Sequence, residues 1–513
     1  MEKHHILTID QGTTSSRALI YDTLTHKAVA LVQQEFKQYY PHSGWVEHDG
    51  EEIWQSTLAV MRKVIEKATI PVEKLAGIGI TNQRETTVVW DRMTGQLVYK
   101  AIVWQDKRTA DMCARLRNDG VGDIVHKKTG LYLDPYFCAT KLSWILDNIP
   151  GARVRAERGE LLFGTIDSFL IWRLTRGNTT NAGSEKAIHI SDETNAARTS
   201  LYNIHTHTWD KELLKIFNIP AAMVPRVVAS SSHFGVTAKD ILGTPVPILG
   251  VAGDQQSSLF GHGCLTEGMM KSTYGTGAFL LVHTGATALL SKHKLLTTCA
   301  CRRQDEAPQY AIEGSIFIAG ALLKWFKEKM NFITSYDESD LMATQLASSD
   351  GVYIVPSFNG LGPPHWNARA RGAVFGLTRG TSKEHLIRAG LEAIAFQTYD
   401  LIEVLTRDGI KPTSLHVDGG LATSDWLLRF MTELNRLDII RPNSLETTAL
   451  GATYLAAFQA GLYKDKSIFN ELNKEGTLIT PHLEKASEAA ERANAIKNWK
   501  KAVQAVTLFA AED

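Results

Sequence analysis

Two stretches about half a chain apart repeat one pattern, and that recurrence constrains the fold more than any other feature. The first, ILTIDQGTTSSRALIYD beginning at Ile6, is an apolar strand, a turn of Gly, Thr and Ser, and a second strand of alternating polarity. Its period is that of a β-hairpin. The second, MKSTYGTGAFLLVHTG beginning at Met270, again runs strand, Gly-Thr turn, strand, so that Gly275-Thr276 answers Gly12-Thr13. This reads as a diverged internal duplication with two units, 1–261 and 262–513. The length of 513 residues agrees, because it exceeds the size at which a single hydrophobic core stops growing. No short tandem period is present, which disfavours a solenoid.

Between the hairpins, strand-like runs such as LAGIGITN and PVPILGVAG alternate with helical patterns. A helix is expected over 49–67, capped by Asp49, with Ile53, Trp54, Leu58, Met61 and Ile65 on one face. Others are expected at 318–330, 384–406, 424–436, 447–461 and near 486–505. Mixed elements throughout imply α/β units with covered sheets. The polar stretch 178–195 reads as a surface loop.

Charge narrows the choice of partners. Lys plus Arg (55) equals Asp plus Glu (55), so there is no global field for nucleic acid or an anionic membrane, and an anionic ligand must be held locally. The N-terminus, with acids at Glu2 and Asp10, lacks a signal-peptide pattern, and no apolar run approaches a membrane span. Five scattered cysteines fit a reducing compartment, hence a cytoplasmic location. Cys299 and Cys301 have no second pair or His cluster to complete a metal site.

No GxxxxGK[ST] string occurs, so phosphate binding would need another device. Residues 12–16, GTTSS, followed by Arg17, offer backbone N–H groups, hydroxyls and a guanidinium on one turn. Taken alone such a turn is more often just a turn, but YGTG at 274–277 supplies a second, and two facing hairpins can clamp a triphosphate. A third glycine pair, Gly419-Gly420, ends a strand ahead of the helix holding Trp426. Asp10 and Asp254 each close an apolar strand. In phosphoryl transfer one such acid serves metal-bound nucleotide and another takes the proton of the attacking hydroxyl, while the plain alternative is a cap. Arg84-Glu85 in GITNQRET pairs opposite charges after an apolar strand, a mixture of donors and acceptors suited to a small polyol, or else an ordinary ion pair. Trp104 and Tyr136 could wall such a pocket or belong to the core.

Taken together, DQGTTSSR (10–17), GWVEHD (44–49), TNQRET (81–86), IVWQ (102–105), AGDQQ (252–256) and YGTG (274–277) resemble, in order and spacing, the FGGY carbohydrate kinases. The likeness continues through GLGPPHW (360–366), ARGAVFGLTRG (370–380), VDGG (417–420) and ALGATYLA (449–456), and TNQRET points to the branch acting on glycerol. The resemblance implies two actin-like and hexokinase-like ATPase domains, a ribonuclease H-like duplication, with nucleotide and substrate in the cleft between them. It implies that Arg84, Glu85, Tyr136, Asp254 and Gln255 bond glycerol, that Trp104 and Phe279 pack on its carbon edge, and that Asp254 is the general base. Thr13, Thr14, Ser15 and Arg17 would meet the phosphates of ATP from one side and Thr276 from the other. Gly320 and Gly419-Gly420 would approach the nucleoside, with Lys324 and Ser424 standing where many relatives have Gln and Asn. Asp10 would position Mg²⁺, and a homodimer or tetramer is implied. Two other readings stay open: a kinase for another polyol or sugar, and a nucleotide-binding scaffold without activity.

Overall fold

The computed structural model describes residues 3–177 and 187–511. Each hairpin opens its own sheet. In the first, β1 (His5–Gln11) and β2 (Ser15–Asp22) pair antiparallel, and β3 (Lys27–Glu35) continues the meander. On the other side of β1 lie β4 (Leu75–Asn82) and then β6 (Pro247–Gly253), both running parallel to it. Antiparallel β5 (Ser231–Val236) closes that edge, and the order is β5-β6-β4-β1-β2-β3.

The second sheet repeats this plan. Strands β7 (Met269–Tyr274), β8 (Ala278–Gly285) and β10 (Tyr310–Ile316) form the meander, with β9 (Leu296–Cys299) added outside it. Beyond β7 come β11 (Ser414–Asp418) and β12 (Ile439–Arg441), both parallel, then antiparallel β13 (Thr477–Ile479). The order is β9-β10-β8-β7-β11-β12-β13. A meander followed by parallel strands, twice over, is the duplication expected from the recurring hairpins, in the ribonuclease H-like form that the family resemblance implies.

Helices cover the sheets where the 3.6-residue pattern places them. Helix α1 (Gly50–Ala68) starts at Asp49, whose carboxylate accepts the Glu51 N–H, and buries Ile53, Trp54, Leu58 and Met61. Val64 and Ala68 are buried in its last turns, while Ile65 packs at the core's edge. Helices α3 (Gly320–Glu328), α4 (Lys383–Arg407), α5 (Asp425–Asn435) and α7 (Ala486–Phe509) surround the second core.

Helices α2 (Asp254–Gly261) and α6 (Thr447–Gln459) join the two sheets. Though late in the chain, α6 lies on the first sheet, where Leu450, Tyr454 and Leu455 pack with Ile6, Leu19 and Leu249. Glycines permit the approach: a Cβ at Gly79 would lie 2.4 Å from the Ala452 carbonyl oxygen, and one at Gly451 1.8 Å from that of Ser257. Among the described residues, no helix is long and apolar enough to cross a membrane, and all five cysteines are free and buried.

One expectation is corrected. Residues 178–186 lie outside the described residues, but 190–195 do not form a surface loop. Ile190–Asp192 is a buried strand and Glu193–Ala196 a buried helical turn. These polar residues are inside because they satisfy one another. The Asp192 carboxylate accepts the Thr194 and Asn195 N–H groups, both at 3.0 Å, and the Ser230 hydroxyl at 2.7 Å. The side-chain amides of Asn195 and Asn82 bond reciprocally at 2.9 and 3.1 Å.

Candidate active site

Parallel strands β1, β4 and β6 lie side by side and end on the same edge, which brings Asp10, Arg84-Glu85 and Asp254 together. Crevices beyond the carboxyl ends of parallel strands are where open α/β sheets bind ligands. Gln83 ties the loop after β4 to the first hairpin, since its N–H donates to the Gln11 carbonyl at 2.7 Å and its amide to the Gly12 carbonyl at 3.0 Å. Glu85 then turns through φ +58°, a left-handed conformation that side chains other than Gly rarely adopt. The turn is held by Cys138, whose thiol donates to the Glu85 carbonyl at 3.3 Å.

Arg84 and Glu85 are not a surface ion pair, for both are buried. Arg84 Nε lies 3.1 Å from Asp254 Oδ1 and 3.9 Å from Glu85 Oε1, and Nη1 donates to Gln256 at 3.2 Å. Gly253 is needed here, because a Cβ would come within 2.8 Å of the Arg84 chain. Asp254 opens α2 and accepts the N–H of Gln255 at 2.6 Å, with 32% of its side chain still exposed. Burial in the crevice raises its carboxyl above the usual range, against the pull of Arg84 and Lys271. Tyr136 and Trp104 meet edge to face at 5.7 Å, and the Trp104 indole N–H donates to Thr13 at 3.0 Å, so the aromatic wall and the first turn are physically joined. Phe279 projects from the face of β8 that also carries Leu281, whose cross-strand partner is Glu313.

In the first hairpin, Thr13 and Thr14 form the open tip of the turn. Ser15 is buried and accepts from Gln33 at 3.0 Å. Arg17 sits opposite Asp10 across the β1–β2 pair and is bound by Glu446, just before α6, so its guanidinium is shared with the far half of the chain. Burial lifts the Asp10 carboxyl to about 6; Arg17 pulls it down, and Asp254 and Glu446 push it up. A carboxylate so incompletely neutralised, facing a second acid, fits a divalent cation with its water shell.

The second turn docks on the start of α3. Ala319 and Ala321 N–H groups donate to the Thr276 carbonyl at 2.9 and 3.0 Å, and Gly320 to that of Gly275 at 2.9 Å. Gly419, at φ +85°, passes so close that a Cβ would lie 2.4 Å from the Tyr274 carbonyl oxygen, while Gly420 faces open space. Thr276, Gly320 and Gly419-Gly420 therefore share one edge. Lys324 is one turn along α3, exposed, 3.8 Å from Glu328. Ser424 has its hydroxyl engaged, donating to Asp340 at 2.6 Å and accepting from Leu427 as the cap of α5.

This arrangement can be set beside known proteins. The model of the FGGY family of carbohydrate kinases, N-terminal domain, matches residues 5–261, and the C-terminal domain of the same family matches 270–460. The chain belongs to the FGGY family of carbohydrate kinases. Its fold is the two-domain, actin-like ATPase fold of that family. Glycerol kinase 1 of Pseudomonas aeruginosa is 51% identical over 90% of this chain and 91% of its own. The glycerol kinase of Listeria monocytogenes is 48% identical over 99% of this chain and all of its own. Among solved structures, Plasmodium falciparum glycerol kinase with ADP superposes with a TM-score of 0.91 at 33% identity, covering 99% of both chains. A Lactobacillus acidophilus xylulose kinase, at 22% identity and a TM-score of 0.86 over 98% of both, shares the fold.

Sequence reasoning missed three charged residues of this FGGY site. Arg198 and Glu313 are fully buried around Arg84, and Lys271 is buried beside Gln255, to which its ammonium donates. Burial lowers the Lys271 ammonium to about 8, opposed by Asp418 and Asp254. A signal existed: Glu313 in YAIEGSI and Lys271 in MMKSTY each interrupt a strand that is otherwise free of charge.

Proposed function

We propose that this chain is an ATP-dependent glycerol kinase that moves the γ-phosphoryl group of ATP to a terminal hydroxyl of glycerol, forming sn-glycerol 3-phosphate and ADP in glycerol catabolism. One observation carries the reading: Arg84 reaches Asp254 at 3.1 Å, and Trp104, edge to face with Tyr136, bonds Thr13 on the first turn. A polyol site is thereby joined to a hydroxyl-rich anion site, in a chain about half identical throughout to proteins named glycerol kinase. We place the division of the units at 261/262, with glycerol held mainly by the first and adenosine by the second.

Arg84, Glu85, Tyr136 and Gln255 orient the triol by hydrogen bonds, and Trp104 and Phe279 cover its carbons. Charged partners suit a ligand with little apolar surface. The Asp254 carboxylate takes the proton of the terminal hydroxyl as that oxygen bonds the γ-phosphorus, and the bond from phosphorus to the bridging β–γ oxygen breaks, releasing ADP. Thr13, Thr14, Ser15 and Arg17 hold the phosphates from one side and Thr276 from the other. Gly320 and Gly419-Gly420 admit the nucleoside against bare backbone, bordered by Lys324 and Ser424. Asp10 would hold Mg²⁺ through water, and the ion would supply charge neutralisation on the β- and γ-phosphates. Because such a transition state needs mainly positioning, closure of the two halves around both substrates is the chief catalytic device.

Five buried free cysteines support work in the cytoplasm; a homodimer or tetramer is our expectation for the assembly. The test is ADP release measured with and without glycerol, and with erythritol, xylulose and gluconate in its place, on the parent and on Arg84→Ala. Glycerol-dependent release, with a glycerol KM raised at least about tenfold in the variant, is expected. Wild-type glycerol affinity in Arg84→Ala would refute the polyol pocket.

A further inference from the structure

Most residues of the proposed glycerol pocket come from the first half of the chain, where the two buried guanidiniums have one fully buried carboxylate, Glu85, beside them. Arg84 and Arg198 are both enclosed, and Glu85 is the acid buried with them. Glu85 Oε1 accepts from Arg198 Nε at 2.5 Å but lies 3.9 Å from Arg84, and Asp254 stands at the mouth. The missing carboxylate comes from the other sheet. Glu313, in the middle of β10, sends Oε2 to Arg84 Nη1 at 2.6 Å and Oε1 to Arg198 Nη2 at 3.0 Å. One carboxylate thus spans two guanidiniums, each by a charge-assisted bond.

Its approach is set by register. Glu313 pairs with Leu281, two residues along β8 from Phe279, so the strand face that supplies the aromatic cover also supplies the acid. The consequence for Arg84 is geometric: Nη1 is committed to Glu313 and Gln256, Nε faces Asp254, and Nη2, with no partner among the described residues, is left for a ligand. Burial disfavours charge on Glu313, but Arg198 and Arg84 outweigh it and hold the carboxyl down at about 2; on Glu85 burial prevails and the carboxyl is raised. Glu313 thus bonds both guanidiniums with its two oxygens, while Glu85 contacts Arg198 through Oε1 alone.

We infer that Glu313 is a positioning residue of the glycerol site, reaching it from the opposite sheet to fix Arg84 and Arg198 in the orientation that leaves Arg84 Nη2 and Glu85 available to substrate. This rests on the glycerol kinase reading above. It also makes glycerol affinity conditional on the two halves being together, because separating the sheets withdraws the carboxylate and leaves two like charges buried side by side.

Full-length Glu313→Gln and Glu313→Asp test this, with folding checked by circular dichroism and ADP affinity. In Glu313→Gln the glycerol KM, and the glycerol Kd from calorimetry without nucleotide, should rise about ten- to hundredfold, as for loss of a charge-assisted bond. The MgATP KM should stay within about twofold, and Glu313→Asp, which is too short to span both arginines, should fall between Gln and parent. Unchanged glycerol constants, or equal losses toward both substrates, overturn the positioning role. If the Gln variant does not fold, the Asp variant decides by the same criteria. A parent enzyme whose ADP release ignores glycerol refutes the function itself, whereas a glycerol-dependent parent with unaltered variants refutes only the part given to Glu313.

Discussion

At the residue scale, ionisation governs the crevice. Asp254 must be ionised to take a proton, and the surroundings that raise its pKa also make it a better acceptor. Replacing it by Asn removes the acceptor while keeping the shape, and should lower kcat by about 10² to 10⁴. A steady-state comparison with glycerol saturating checks this, and near-parental turnover would reject the role. Two other groups bracket the working pH. Asp10, lifted to about 6, carries its proton below that value, so under the proposed role in holding Mg²⁺ its charge would be lost as pH falls through about 6. Lys271, lowered to about 8, loses its charge above that value, and the Gln255 contact loses its ammonium donor as pH rises. A bell-shaped kcat/KM profile with limbs near these two values is expected. Lys271→Arg, whose guanidinium stays charged, should remove the alkaline limb from the accessible range. Persistence of that limb in the variant would assign it elsewhere.

At the element scale, α2 and α6 cross backbone against backbone. Backbone touches backbone through Gly261 and Gly451, and the carbonyl of Thr448 also accepts the Ser257 hydroxyl at 2.7 Å. A methyl group at position 451 has no room, because its neighbour is the Ser257 carbonyl and not a flexible side chain. Gly451→Ala should therefore cost about 1–3 kcal/mol, as overpacking of a close-packed site does. Chemical denaturation measures it, and a variant as stable as its parent would show that the helices can part without penalty. Because α2 begins with Asp254, the same substitution should also move the carboxylate proposed as general base, so a fall in kcat is expected with the loss of stability.

At the scale of the whole molecule, the two halves meet through charges as well as helices. Arg17 is held by Glu446, and Arg84 and Arg198 by Glu313. Ligands that bridge the halves should therefore stabilise the fold. Glycerol and ADP, each at about 100 times its Kd, should each add about 2.7 kcal/mol and raise the melting temperature. A melt unaffected by both would contradict a shared crevice. Much of this organisation was legible in the sequence. The two hairpins, α1 with its Asp49 cap and the helices at 384–406 and 447–461 declare themselves through local periodicity and turn chemistry, which depend on neighbours along the chain. Asp10, Arg84 and Asp254 could be singled out because each follows an apolar strand, and parallel strands end on one edge. The burial of Asp192–Asn195 was not legible, since polar residues look solvated until their partners, Asn82 and Ser230, arrive from elsewhere in the chain. Nor was the place of α6: its apolar surface indicates that it is covered, but whether by its own sheet or the other is decided by the glycines it meets at Gly79 and Gly250. The sequence by itself thus determined the duplication, the elements and the chemistry offered by each turn, because those depend on short-range sterics and polarity. Only the tertiary structure decided that Glu313 meets Arg84 and Arg198, because the pairing of a carboxylate with two guanidiniums across two sheets is a matter of distance in space, which spacing along the chain does not encode.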